Sequence, residues 1–265
     1  MASQRFRQPR VAELVASKLR DDILSGRLKE GDVLPSQESL FAEFGVSPPA
    51  LREAIHLLET DGLISVRRGN VGGALVHHPT AERTAHMISM VLQTRSATPV
   101  DVSEALMHLE PVCAGMCAAR EDRMTEVVPY LQGEIDLQTA QFDDLSRYVP
   151  NARRFHETLV ARCGNEPMIL LIGSLELIWS AHESAVWNGH GEPPMVDKTR
   201  RAALRDHQRL LDAIRDGNAA KAVRLAQDHL AAARRNTLAF GTEQTIEAKL
   251  VSNLDVPQHR KGARA

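Results

Sequence analysis

Cysteine is scarce. The three residues, Cys113, Cys117 and Cys163, are odd in number and show no Cys-x-x-Cys spacing. This is the pattern of reduced thiols in a cytoplasm, not of a disulfide framework. Aromatic side chains make up only 4% of the chain, whereas Ala, Leu and Arg are abundant, a balance that leans towards helix. Long hydrophobic runs are also missing. The longest aliphatic stretch, Met168 to Ile172, is interrupted by Gly173 and Glu176, too short to span a bilayer, so no membrane partner is expected. The first twenty residues are polar and basic, with no hydrophobic core of a signal peptide. Finally, no sign of charge dominates. The net charge is −2, and residues 1–76 carry 10 basic and 10 acidic side chains, so nucleic-acid binding must rest on local placement.

The first 76 residues read as a small α/β unit. Apolar positions from Val11 to Ser25 recur at helical period and Gly26 ends them. Ser36 is placed to cap a helix over 37–44 with Gly45 as its stop, and Ser47 a second helix, with Pro48 at its first position, running to about Asp61. Strand-like runs 63–66 and 74–76 flank a glycine-rich turn. Helix, helix–Gly turn–helix, then hairpin is a winged helix-turn-helix order, which makes residues 1–76 a DNA-binding domain.

Residues 77–80 read as a linker. From 81 to 240 the pattern is helical throughout, with helices near 81–94, 100–119, 123–140, 144–163, 166–187, 196–216 and 219–239. The expected fold is therefore mainly α: the winged unit followed by an all-helical antiparallel bundle, with residues 241–265 as a disordered polar tail.

In a helix-turn-helix, the start of the second helix reaches base edges in the major groove. Arg52, one turn into that helix, can meet a guanine edge or a phosphate. Ser47 and the amides at the helix start suit a phosphate. Arg67, Arg68 and Gly69 in the hairpin turn suit a neighbouring minor groove, and Arg5, Arg7 and Arg10 form a basic arm. The bland alternative is that Arg52 pairs with Glu59 or Asp61 and that the turn is simply solvated.

In the helical half, His156 shares a face with Leu159 and Val160, and His207 lies on the stripe Leu204, Leu211, Ile214. His229 faces inward with Ala226 and Ala233. His207 and His229 stand 10 residues before and 12 after Gly217, arms of about 15 and 18 Å in a helical hairpin, so their rings are nearly level. Level inward imidazoles are how a bundle builds a metal site; equally, each can be a hydrogen-bonded core residue. His86 and His108 could approach the same cavity. His77, His78, His182, His190 and His259 read as linker, loop, tail or surface.

The runs Ile23-Leu-Ser-Gly26-Arg27-Leu28, Gly31-Asp-Val-Leu34-Pro35-Ser36, Gly45-Val46-Ser47, Leu51-Arg52-Glu53-Ala54, Leu58-Glu59, Gly62-Leu63-Ile64 and Arg68-Gly69 strongly resemble the GntR family of bacterial transcription regulators. The resemblance implies DNA contacts from Ser36, Ser47, Arg52, Arg67, Arg68 and Gly69. Two departures, Glu38 and Pro48, stand where the family commonly carries DNA-touching arginines. Residues 81–240 resemble the helical FCD domain of the FadR subfamily, through Leu109-Glu110-Pro111, Phe155-His156 with Gly164-Asn165, His207 to Ile214, and His229-Leu230. In metal-binding relatives, His156, His207 and His229 would be ligands, joined by an aspartate where this chain has Ala152. An arginine able to grip a carboxylate effector is replaced by Leu106. The implied effector pocket includes Leu106, Glu110 and Ala152, and the two losses point to a more apolar pocket. Three imidazoles still suffice for Zn²⁺ or Ni²⁺.

The reading that results is a cytoplasmic, metabolite-responsive repressor that binds a palindromic operator as a homodimer. Its effector would be a carboxylate, an acyl-CoA or a more apolar metabolite. One alternative is a metal-free acyl-CoA-type sensor. Another is a metal-dependent hydrolase, but no Ser-His-Asp array or His-Glu-x-x-His string supplies the general base, so no enzyme is expected.

Overall fold

The computed structural model describes residues 11–67, 73–189, 197–237 and 245–251, and falls into two units that divide at Thr80. In the first unit, α1 (Val11–Leu24) buries Ala12, Val15, Ala16, Leu19 and Ile23, one stripe at helical spacing. That stripe packs on α3 (Pro48–Thr60), whose Leu51, Ala54 and Leu58 face it. Between them, α2 (Gln37–Phe44) contributes Leu40. Ser36 caps α2 as expected, its hydroxyl accepting from the Ser39 amide at 3.2 Å. Gly45 closes α2 with φ at 60°, the left-handed conformation that lets its N–H reach the Phe41 carbonyl and turns the chain towards α3. Strands β1 (Ile64–Arg67) and β2 (Gly73–Val76) pair antiparallel, Ile64 opposite Val76 and Arg67 opposite Gly73. The expected order of elements is present throughout. The expected linker starts out anchored: the His77 N–H bonds the Leu63 carbonyl, and Glu30 accepts from both the His77 ring and the His78 N–H.

The second unit comprises α4 (Ala81–Thr94), α5 (Pro99–Ala119), α6 (Arg123–Glu126), α7 (Val128–Ala140), α8 (Leu145–Ala161), α9 (Glu166–Gly189), α10 (Asp197–Arg215), α11 (Ala219–Thr237) and α12 (Ala248–Val251). Helix α5 is the axle, packed by α8, α9, α10 and α11. Its contact with α11 is close because Gly115 has no side chain: a Cβ there would stand 2.8 Å from Val223. The three cysteines are free and buried, with Cys113 and Cys117 on α5. None of the described helices is long and apolar enough to cross a membrane.

Three local expectations change. The helix expected near 100–119 begins one residue earlier, at Pro99, with Thr98 and Asp101 forming a reciprocal capping box. The single helix expected over 123–140 divides at Val127, because Pro129 has no N–H to donate back to Thr125. The third concerns residues 241–265, expected to form a disordered tail. Residues 245–251 are instead fastened to the bundle, where α12 packs on α4 and α9. The Ile246 N–H bonds the Ala97 carbonyl at 2.9 Å, the Glu247 N–H bonds His182 Nε2 at 2.9 Å, and the Ala248 N–H bonds the Gln93 side chain at 3.0 Å. His86 Nδ1 meets the Ala248 carbonyl at 3.1 Å. The polar composition of the tail hid Ile246, Ala248 and Val251, which are the residues that are buried. His182, read as a surface or loop residue, is buried because it serves this segment. Its Nδ1 bonds the Ile178 carbonyl, which leaves Nε2 as the acceptor.

Because Ile246 is fully buried, Ile246→Ala is expected to cost about 3 kcal/mol and to lower the melting temperature of the helical unit by roughly 10 °C. An unchanged thermal transition would show that the segment contributes nothing to the bundle.

Candidate functional site

The first unit presents an exposed helix start. Ser47, Pro48, Pro49 and Arg52 are all solvent-facing. Ser47 occupies the cap position and its carbonyl receives the Leu51 N–H at 3.1 Å, but its hydroxyl makes no capping bond and remains available. The helix start is poorer in free amides than expected, since the prolines at 48 and 49 carry no N–H. Ala50 supplies the remaining free-standing donor of that turn. The Arg52 guanidinium reaches back only to the Pro48 carbonyl, at 3.4 Å.

The two acids that could have neutralised Arg52 are engaged elsewhere. Asp61 takes Arg20 of α1, at 2.5 and 3.1 Å, and Glu59 accepts the Val66 amide at 3.4 Å. The bland alternative for Arg52 therefore has no support in the geometry. Ser36 is exposed at the start of α2 and Glu38 is exposed beside it. Arg67 is exposed at the end of β1, whereas Arg68, Gly69 and the arm Arg5, Arg7 and Arg10 lie outside the described residues.

The second unit brings the three predicted histidines together. His156 on α8, His207 on α10 and His229 on α11 are all buried. Their Nε2 atoms form a triangle with sides of 3.1, 3.2 and 3.3 Å. Each outer nitrogen faces a polar partner. His156 Nδ1 is 2.5 Å from Glu110, His207 Nδ1 is 2.9 Å from Gln138 Oε1, and His229 Nδ1 is 3.8 Å from Asp206. On His156 and His207 the acceptors at Nδ1 hold the proton there and leave the Nε2 lone pairs pointing into the cluster. Burial, then the charge of His229, keeps His156 and His207 well below the usual imidazole pKa, so both stay neutral. The donor set fits a divalent ion: metal–nitrogen bonds of about 2.0–2.1 Å in tetrahedral geometry separate the nitrogens by about 3.3 Å. Among the described residues no carboxylate joins the three, so the place left by Ala152 is not refilled.

Other expected positions fall differently. Glu110 is buried as the partner of His156, and Ala152 is half-buried one turn before it on α8. Leu106 lines a small cavity with Ser103, Arg153, Trp179, Ala233 and Arg234, so the wall is less apolar than the loss of an arginine at 106 implied. His108 is exposed, and His86 is occupied with α12, so neither joins the cluster. His190 and His259 lie outside the described residues.

The sequence reading missed Gln138, Arg153, Glu176, Asp206 and Arg234. Glu176 had left a trace as the acid that interrupts an apolar run. It lies on α9, fully buried, bonded to Arg153 and facing Glu110. Burial first of all, together with the negative charge of Glu110, pushes its carboxyl up to about 8 against the pull of Arg153.

Residues 11–72 match bacterial regulatory proteins of the gntR family, and residues 101–232 match the FCD domain. The chain is 25% identical over 241 residues to the HTH-type transcriptional repressor NanR of Salmonella arizonae, covering 88% of this chain and 86% of that one. It is 27% identical over 219 residues to the Uxu operon regulator of Haemophilus influenzae, covering 82% and 77%. Among solved structures, a Streptococcus agalactiae GntR protein superposes with a TM-score of 0.65 at 21% identity, covering 84% of this chain and 99% of that one, and shares the fold.

Folded Glu176 keeps its proton to about pH 8, whereas the unfolded carboxyl loses it near 4.5. Its contribution to stability is therefore complete below pH 4.5 and disappears as pH rises through about 8. Glu176→Gln is expected to flatten that decline, seen as urea midpoints that vary less with pH across the interval. A variant as pH-sensitive as the parent would remove Glu176 as the cause.

Proposed function

The chain belongs to the GntR family of bacterial regulatory proteins and carries an FCD domain, and from that premise we propose that it is a cytoplasmic, effector-responsive repressor acting as a homodimer on a palindromic operator. That it is a DNA-binding transcription regulator and not an enzyme follows from the family. Repression and effector control are the proposal, supported by relatives whose names include a transcriptional repressor and an operon regulator. Dimerisation is supported by an exposed apolar face on α4, where Met87 and Val91 are 59% and 50% accessible.

The observation that carries the sensing half is the triangle of Nε2 atoms. Its spacing, and the acceptors behind each ring, favour a divalent ion, Zn²⁺ or Ni²⁺, held by His156, His207 and His229. Held by His156, His207 and His229, such an ion would supply Lewis-acid attraction for effector oxygens. Glu110, Gln138 and Asp206 would orient the rings, and the surrounding helices would exclude water. A ligand seated where α5, α8, α10 and α11 meet biases their packing, and in a dimer this alters the spacing of two reading heads and hence operator affinity.

For the reading half, Arg52→Ala is expected to weaken binding to the protein's own upstream DNA by roughly 1–3 kcal/mol in a gel shift. Unchanged affinity would remove Arg52 from the interface. Untagged protein should retain Zn²⁺ or Ni²⁺ by elemental analysis, and the double variant His207→Ala, His229→Ala should lose it while still shifting DNA. Equal metal content in the two proteins would end the metal assignment.

A further inference from the structure

The helical unit holds a group of titratable side chains that the histidine cluster does not use: its three cysteines. All are free and buried, Cys113 and Cys117 on α5 and Cys163 in the turn between α8 and α9. Their partners differ. Cys117 donates its S–H to the Leu159 carbonyl at 3.2 Å, and burial pushes its thiol up to about 12. It is a satisfied core residue. Cys113, one turn earlier on α5, donates instead to the Cys163 thiol.

Two thiols in hydrogen-bond contact hold their protons unequally. Donating that bond raises the Cys113 thiol, and burial raises it further. Accepting the bond lowers Cys163, against the opposing effect of its own burial. Arg120, just past the end of α5, acts in the same direction on Cys163. Its charge is shared with Asp122, which takes Arg120 Nε and Nη2 at 2.7 and 2.8 Å, so the Cys113 thiol is the main lever. The thiolate, which is the nucleophilic form, therefore appears first at Cys163.

Access separates the two sulfurs as well. Cys163 and Gly164 line an open cleft of about 440 Å³ together with Arg120, Glu121 and Asp122. Arg120 Nη1 donates to the Arg162 carbonyl at 3.1 Å and lies across Gly164, where a Cβ would stand 2.7 Å from it. The α8–α9 turn is thus held against the end of α5, with Cys163 in the cleft wall. Cys163 is 2% accessible and Cys113 is fully buried, an arrangement that suits a small oxidant and excludes a bulky one.

We propose that Cys163 and Cys113 are a redox pair: a hydroperoxide reacts at Cys163, and the two sulfurs then close a disulfide between the α8–α9 turn and α5. The Cys163 thiolate attacks one oxygen of the hydroperoxide. An S–O bond forms as the O–O bond breaks, and the departing oxygen takes up a proton and leaves as an alcohol, or as water from hydrogen peroxide. Cys113 then attacks the sulfenic sulfur of Cys163. The S–S bond forms as the S–O bond breaks, and the hydroxide takes the Cys113 proton and leaves as water. In all, two thiols give up two electrons and two protons, and one hydroperoxide accepts them. Thiol–disulfide exchange with a reducing dithiol reverses the change, the behaviour of a redox-responsive pair and not of a structural bridge. Glu110 stands three residues before Cys113, and His156 seven before Cys163. The bond therefore ties together the two helices that carry one corner of the histidine cluster.

The test uses full-length protein, reduced, desalted, treated with a small excess of hydrogen peroxide, and then denatured in N-ethylmaleimide. Intact mass is expected to show one maleimide in place of three, with all three restored by dithiothreitol. A non-reducing digest should link the Cys163 peptide to Cys113, with the label on Cys117. Three labelled thiols after peroxide, a link through Cys117, or a disulfide between two chains in place of the internal bond would overturn the assignment. The wild-type digest decides the pairing without any variant. Cys113→Ala should stop Cys163 at the sulfinic acid, and Cys117→Ala should form the bond as the parent does. Undiminished thiol loss in a folded Cys163→Ala protein would equally end the proposal.

Discussion

Three buried imidazoles with their Nε2 atoms about 3 Å apart are not a resting arrangement for a protein interior. Most buried histidines are satisfied by pairing one nitrogen as donor and the other as acceptor. Here His156 and His207 turn Nδ1 outward to Glu110 and Gln138, Asp206 stands 3.8 Å behind His229, and the three Nε2 atoms point inward at each other. The rest of the helical unit depends on this convergence. It fixes the relative depth of α8, α10 and α11, and it places Glu110 of α5 against His156. It also brings Glu176 of α9 opposite Glu110, which in turn needs Arg153. A cation at the centre is the simplest electrostatic complement to such a set.

The same logic explains why so many ionisable groups are tolerated in the core. Glu110, Glu176 and Arg153 would each be prohibitively expensive alone in a low-dielectric interior. As a set they share protons and hydrogen bonds: Glu176 leans towards the neutral form, and Arg153 supplies the positive charge.

The DNA-reading unit is simpler. Its core is one helical stripe on α1 against one on α3, with a two-stranded sheet beside them, and the side chains proposed to read DNA are exposed on that scaffold. The consecutive prolines at 48 and 49 stiffen the entry to α3 and remove two donors from its first turn. The polar groups left exposed at that helix start are the Ser47 hydroxyl, the Ala50 amide and the Arg52 guanidinium. The ion pair between Arg20 and Asp61 frees Arg52 by occupying the acid nearest in sequence to the end of α3.

Much of this was legible in the residues themselves. Helical period, capping serines and stop glycines placed the elements from α1 to β2, because those signals are local and the unit is small. The inward stripe of His207 and the symmetric spacing of His207 and His229 about Gly217 were legible for the same reason: a helical hairpin converts sequence distance into height. What escaped was everything that depends on a partner far along the chain. The burial of His182 and of residues 245–251 each needs the other, and neither carries a local sign. Glu176 announces itself only as a charge in an apolar run, and its tie to Arg153 and Glu110 is a matter of three helices meeting. Periodicity determines which face of a helix turns inward; which faces then meet, and hence which charges must share a proton, is settled only when the helices pack, since that pairing is set by shape and burial across the whole bundle and by no single segment of it.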